Sequence, residues 1–339
     1  MQQTGIHKVL IIQTAFLGDV VLATALIEKL HLFYPNAQLD FMLRKGNESL
    51  LDEHPFLTNL FVWDKKGRKY KGLFRLLQQV RSQKYDAVVN LQRYGTTGIF
   101  TALSGARQTI GFDKNPLSRF FTRSYPHDME SGTHEVKRNQ LLISELTDNV
   151  AARPKLYPNV SDFVKVQSLK ASPYICMAPT SVWFTKQYPL KKWVDLLNSI
   201  EPSYKVYLLG SPVDKEHCDA IISQTDFVNV ENLCGQLNLL QSAALMRDAM
   251  LNYVNDSGPM HLASSQNAPT CAIYCSTVPR FGYGPLADFA EVVEKEEPLY
   301  CRPCGLHGHK TCPEGHFKCA LDIQNQQLVQ VLQKAEQRL

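Results

Sequence analysis

Apolar residues along this chain fall into short continuous runs, separated by stretches in which they recur at helical spacing. Lys8–Gln13 is one such run, and a strand buried on both faces reads this way. From Asp19 to Tyr34 the apolar positions are Val20, Ala23, Ile27, Leu30 and Tyr34, the stripe of an amphipathic helix. The pattern predicts further strands at Gln38–Leu43, Leu60–Trp63 and Tyr85–Leu91. Helices are predicted at Tyr70–Ser82, Thr96–Ser104 and His134–Leu146. The rhythm breaks between about Thr147 and Ser172, where Pro154 and Pro158 stand in a stretch without a sustained period, with Pro173 just beyond. It then resumes with strands at Tyr174–Ala178, Lys205–Leu209, Met250–Val254 and Thr270–Tyr274. The helices of this half are predicted at Leu190–Ile200, Pro212–Ser223, Asn238–Asp248, Gly258–Gln266 and Ile323–Gln337.

Strands alternating with helices predict an α/β protein built on doubly wound parallel sheets. The expected division is a first Rossmann-like domain over residues 1–150, a linker over 151–172, a second Rossmann-like domain over 173–322 and a closing helix over 323–339. No sequence repeat links the halves. Ligands of such sheets bind at the carboxyl ends of strands, so a central cleft faced by both domains is the expected site.

Composition narrows the picture. Hydrophobic residues make up 44% and charged residues 20%, which excludes a disordered or collagen-like chain. The net charge of +4 is too mild to indicate a nucleic-acid binder by itself. No apolar stretch approaches the ~18 residues of a membrane span. The early apolar run Val9–Ile12 is too short for a signal peptide, so a cytoplasmic protein is expected.

Three turns could carry chemistry. The first, Thr14–Asp19, joins the first strand to the first helix. Gly18 permits a backbone geometry or close approach that a side chain would block. Asp19 sits at the positive end of the helix dipole, where a carboxylate is stabilised and could take a proton from a hydroxyl; serving only as a helix cap is the competing role. The second turn follows Ala178. Thr180 and Ser181 offer hydroxyls to phosphate oxygens, and Lys186 adds a charge. The third, Asn255–Ala263, follows an apolar strand and opens a helix at Gly258 and Pro259, an arrangement suited to anions. Ser257 is expected to cap that helix, and Asp256 and His261 to reach ligand hydroxyls or phosphate. Neither G-x-G-x-x-G after the first strand nor G-x-x-x-x-G-K-[ST] anywhere is present, so nicotinamide redox chemistry and P-loop phosphoryl transfer lose their usual support.

The string Asn255-Asp-Ser-Gly-Pro-Met-His-Leu-Ala263 resembles the signature of glycosyltransferase family 9, the ADP-heptose:lipopolysaccharide heptosyltransferases. Gly18, Asp19 and Thr24 match the family's G-D-x-x-x-x-T after its first strand. Thr185, Lys186 and Pro189 match its T-K-x-W-P, and His134, Arg138 and Asn139 its His-x-x-x-Arg-Asn helix. The likeness spans nearly the whole chain in order. Departures are Ala25 for a proline, Tyr188 for a tryptophan and Thr180 for a glycine, and they bear on the donor sugar. The resemblance implies a GT-B fold and inverting transfer without an obligatory metal or other cofactor. Asp19 would be the catalytic base. Thr180, Ser181, Thr185, Lys186, Asp256, Ser257, Gly258 and His261 would hold an ADP-heptose-like donor. Gly18 and Arg93 are placed with a lipid-linked anionic glycan acceptor, Arg93 from its position after the fourth strand. A sibling transferase using another nucleotide sugar is the alternative.

Two features stand outside this scheme. Lys65, Lys66, Arg68, Lys69 and Lys71 precede an amphipathic helix with Leu73, Phe74 and Leu77. They read either as a contact with an anionic lipid-linked acceptor or the inner leaflet, or as a solvated basic face. Cys301, Cys304, Cys312 and Cys319 have spacing that structural zinc could use, with His307, His309 and His316 among them; reduced thiols packing a tail loop are the other reading. A zinc-containing nucleic-acid binder would combine these two features, and the mild net charge weighs against it.

Overall fold

The computed structural model describes residues 5–65 and 69–338, without the side chains of 69–71. The chain divides into two units, Met1–Tyr157 and Pro158–Leu339. The basic run therefore lies largely outside the described residues. Its first member, Lys65, is described, and its ammonium donates to the Thr14 carbonyl at 2.7 Å.

In the first unit β1 (Lys8–Ile12) leads into α1 (Leu17–Phe33), followed by β2 (Gln38–Arg44), β3 (Leu57–Trp63), α2 (Lys69–Gln83), β4 (Ala87–Asn90), α3 (Gly95–Ala102), β5 (Gln108–Phe112), β6 (Arg123–Tyr125) and α4 (Glu135–Leu141). The six strands are all parallel in the order β3-β2-β1-β4-β5-β6. Val9 to Ile12 have no exposed surface, because helices cover both faces of the sheet.

The second unit opens with α5 (Val160–Val166). It continues through β7 (Tyr174–Ala178), α6 (Leu190–Leu197), β8 (Lys205–Leu208), α7 (Lys215–Ile222), β9 (Val230–Asn232), α8 (Leu239–Arg247), β10 (Leu251–Asn255) and α9 (Gly258–Ser265). It ends with β11 (Thr270–Tyr274), β12 (Ala290–Glu294), α10 (Lys318–Leu321) and α11 (Asn325–Glu336). Its parallel order is β12-β11-β10-β7-β8-β9. Counted from each unit's own first strand, this is the winding of the first unit repeated without a shared sequence.

The predicted strands and helices are present with ends shifted by a few residues, except that the helix expected over His134–Leu146 ends at Leu141. Four strands were not anticipated, and the reason is local. β5 reads Gln-Thr-Ile-Gly-Phe, with two apolar side chains, and β6 reads Arg-Ser-Tyr. β9 and β12 are edge strands carrying Glu231, Glu291 and Glu294, so no continuous apolar run marks them. The stretch read as a linker, 151–172, contains α5. The helix starts where Asn159 and Asp162 cap each other reciprocally, with the Asn159 side chain accepting from the Asp162 amide at 3.0 Å.

Each sheet reverses its winding between two central strands, β1 and β4 in the first unit and β7 and β10 in the second. The carboxyl ends of strands at such a reversal are where doubly wound sheets bind ligands. All three candidate turns leave one of these four strands.

Candidate functional site

In the first unit Asp19 occupies the third position of α1. Its Oδ2 accepts from the Phe16 amide at 3.1 Å, so the carboxylate closes the start of the helix. Burial is the largest influence on this carboxyl group and pushes its pKa up to about 6. The Glu135 charge pushes the same way, while the Phe16 and Asp19 backbone amides and the Arg93 charge oppose it. A carboxylate so tuned is more basic than an ordinary one and still about nine-tenths ionised at pH 7.

Sequence reasoning missed the group that sits behind Asp19. Glu135, the first residue of α4, receives both Nε and Nη2 of Arg138 at 2.7 Å, and His127 Nε2 stands 3.6 Å away. All three residues are buried. Burial alone would raise Glu135, but the His127 hydrogen bond and the Arg138 charge outweigh it and hold the carboxyl below its usual range. Glu135 is thus kept ionised, and its charge reaches Asp19. The only sequence signal was Arg138 in the His-x-x-x-Arg-Asn helix.

His127 and Arg93 also line a cavity of about 730 Å³ at the carboxyl ends of β4, β5 and β6, together with Lys114, Asp113, Asp128 and Glu130. Arg93 therefore faces a space able to take a sugar-sized group. Gly18 lies in the first turn of α1 and is not among the glycines with positive φ. A special backbone geometry is therefore not its reason. Thr24 is fully buried; its hydroxyl donates to the Val21 carbonyl and accepts from the Lys155 amide at 2.8 Å. It fastens the helix and does not face a ligand.

In the second unit the β7 and β10 turns are joined side chain to side chain. Lys186 Nζ pairs with Asp256 Oδ2 at 2.6 Å, and the Thr277 hydroxyl donates to the same oxygen at 2.6 Å. The Asn255 side chain accepts from the Tyr188 amide at 2.9 Å. Thr180 and Ser181 sit half-buried in the β7 turn. Ser257 stands at the start of α9, but it does not cap the helix as expected. Its hydroxyl donates to the Asn255 carbonyl at 3.3 Å, so the amides of the first turn from Gly258 are not occupied by it. His261, in the same first turn, is buried.

Thr185 has a different place from the one expected of a donor contact. It is 1% exposed, and its hydroxyl oxygen accepts from the His309 amide at 2.7 Å and from the Ser276 hydroxyl at 3.0 Å. It connects the lysine turn to the end of β11 and to the cysteine-rich tail loop. Arg302 fixes that loop from the other side, donating to the Cys275, Tyr274 and Thr277 carbonyls. Among the described residues no group of three or more His, Cys, Asp or Glu side chains is arranged to hold a metal ion. Cys301 Sγ and His316 Nε2 are 3.9 Å apart. Burial chiefly raises the Cys304 thiol, and it takes Cys319 up to about 12.

The tail loop reaches the candidate site through Gly308. Its φ is +76°, and a Cβ there would lie 2.9 Å from Thr185 Oγ1 and 3.0 Å from Lys186 Cγ. Gly308→Ala is therefore expected to destabilise the protein by about 1–2 kcal/mol from backbone strain alone. Thermal unfolding measures this, and an unchanged midpoint would mean that residue 308 does not hold this left-handed conformation.

Comparison with known proteins places this fold. The family model for glycosyltransferase family 9 (heptosyltransferase) matches residues 73–317. Lipopolysaccharide heptosyltransferase 3 of Escherichia coli is 27% identical over 278 residues, which cover 77% of this chain and 82% of the relative. Among solved structures, the family 9 glycosyltransferase of Veillonella parvula superposes with a TM-score of 0.86 at 23% identity, covering 100% of this chain and 99% of its own. The E. coli ADP-heptose lipopolysaccharide heptosyltransferase II gives 0.80 at 21% identity, covering 97% and 98%. The fold is that of these proteins, GT-B, with two Rossmann-like units.

Proposed function

The chain belongs to glycosyltransferase family 9, and from that premise we propose that it moves a heptose, with inversion, from an ADP-linked donor to the anionic core of a lipopolysaccharide acceptor. Asp19 takes the proton of the acceptor hydroxyl as that oxygen attacks the anomeric carbon. The bond from that carbon to the diphosphate breaks, and ADP leaves with its charge met by Lys186, the hydroxyls of Thr180 and Ser181, and the first-turn amides of α9 from Gly258. Fixed donors of this kind stabilise a leaving group without a bound cation. Asp256 and His261 meet hydroxyls of the nucleotide sugar, and Thr185 acts through Lys186. Arg93 receives an acid of the acceptor from the cavity it lines, while Gly18 lets the acceptor approach the base.

The observation that carries this reading is Asp19 itself, a carboxylate raised to about 6 at the winding reversal of its sheet. Names of relatives support the choice of sugar: the E. coli protein above is named a lipopolysaccharide heptosyltransferase, and the solved E. coli structure an ADP-heptose lipopolysaccharide heptosyltransferase. An acceptor of this class is anchored in a bilayer. Among the described residues no helix is long and apolar enough to cross one, which suits a peripheral enzyme on the cytoplasmic face.

A panel of nucleotide sugars tests the reading with lipopolysaccharide from a heptose-deficient strain as acceptor. Turnover is expected with ADP-heptose and not with UDP- or GDP-sugars, and NMR should show the product anomer opposite to the donor's. Turnover with a different nucleotide sugar alone would make the chain a sibling transferase. Retained anomeric configuration would rule out single displacement driven by Asp19.

A further inference from the structure

Two cysteines outside the proposed transfer chemistry stand closer than their burial requires. Cys218 lies on α7 and Cys234 in the turn after β9, both buried, with their sulfurs 3.3 Å apart. A disulfide spans about 2.05 Å, so closure needs a movement of about 1.2 Å. The turn is already fixed to the helix. Asn232 Nδ2 donates to the Lys215 carbonyl and to Asp219 Oδ1, and Asn232 Oδ1 accepts from the Cys234 amide at 2.9 Å. On the far side the Gly235 amide donates to the Gly210 carbonyl at 3.0 Å, and a Cβ on Gly210 would lie 2.8 Å from Cys234 Sγ.

The geometry points to a function that sugar transfer does not use: we infer that Cys218 and Cys234 form a reversible dithiol site, oxidised by a hydroperoxide to an intrachain disulfide within the folded second unit.

Their unequal acidity suits the two steps. The hydrogen bond shared with Cys218 holds the Cys234 thiol below its ordinary pKa, with Lys215 helping and burial, Asp214 and Asp219 opposing. Cys218 is raised by the same hydrogen bond and by burial. The Cys234 thiolate attacks one oxygen of hydrogen peroxide; the O–O bond breaks, hydroxide leaves and is protonated to water, and a sulfenic acid forms. Cys218 Sγ then attacks the Cys234 sulfur. The S–S bond forms, the S–O bond breaks, and the hydroxyl departs with the Cys218 proton as a second water. Two thiols are oxidised and one peroxide is reduced. A dithiol reductant reverses the bond by exchange. The bond would lie against Gly210, just past the carboxyl end of β8, the strand beside β7 whose turn carries Lys186.

The full-length reduced protein is treated with hydrogen peroxide, unfolded, alkylated and digested without reduction. Mass spectrometry is expected to find a peptide pair joined through Cys218 and Cys234, two hydrogens lighter and released by dithiothreitol. Cys176, Cys271 and Cys275, also buried, should remain alkylatable. Cys218→Ser should block the link and leave a sulfenic acid on Cys234 that dimedone traps. The inference is overturned if both cysteines stay alkylatable, if the link forms only when peroxide is added in denaturant, or if dimedone labels nothing in a variant that keeps the wild-type circular-dichroism spectrum. The wild-type mapping decides the matter even if the serine variant does not fold.

Discussion

Asp19→Asn is expected to lower the turnover of sugar transfer by about 10²–10⁴-fold, with donor affinity within about 2-fold of wild type. Asparagine keeps an oxygen to accept from the Phe16 amide, which the aspartate accepts at 3.1 Å, so the start of α1 survives. What disappears is the capacity to hold a proton. The wild-type rate should fall on the acid side with an apparent pKa of about 6, the value to which burial chiefly raises Asp19. The sign is fixed by the role: a base works when deprotonated, so activity is present above that pH and lost below it. Neighbouring charges then shift the limb in opposite directions. Glu135→Gln removes a charge that raises Asp19, so its limb moves to lower pH. It should stay above an ordinary carboxylate, because burial remains the larger cause. Arg93→Met removes a charge that lowers Asp19, so its limb moves to higher pH. Rate profiles of the wild type and of the Glu135→Gln and Arg93→Met variants measure this, and near-wild-type turnover of the asparagine variant would end the assignment.

How much of this was legible beforehand depends on how far apart in the chain the partners stand. The turn that carries Asp19 could be read from Gly18-Asp19 after an apolar strand, because strand, turn and helix start are contiguous. The lysine turn and the α9 start were legible for the same reason. The ion cluster behind Asp19 was not. His127 and Glu135 belong to the irregular end of the first sheet, after β5 and β6, whose short polar-interrupted sequences hid the strands themselves. Thr185 was assigned to the right turn but not to its partners, since Ser276 and His309 follow it by 91 and 124 residues. No local pattern announces a hydroxyl facing inward at that range. The tail loop was read as a separate cysteine cluster, although Gly308 packs it against Lys186. Cys218 and Cys234 carry no spacing signature, and only the fold of α7 against β9 brings their sulfurs together.

The lysine turn gives the second large effect, and here structure and chemistry must be separated by design. Lys186→Met is expected to lower transfer by about 10²–10³-fold, the scale on which a single fixed donor to a developing negative charge acts. The same change strips Asp256 of a partner at 2.6 Å. A fully buried pair broken from one side costs about 3–5 kcal/mol; the lysine side chain keeps 15% exposure and Thr277 still donates to the carboxylate, so less is expected. A loss of activity in that variant alone could then be a loss of fold. Lys186→Met combined with Asp256→Asn removes the stranded charge and leaves an oxygen for Thr277. Its thermal midpoint should return toward wild type, while turnover stays as low as in the single variant or falls further and ADP binding stays weak. If turnover recovers along with stability, Lys186 serves only to neutralise Asp256, and the charge that receives the departing diphosphate must come from another side chain.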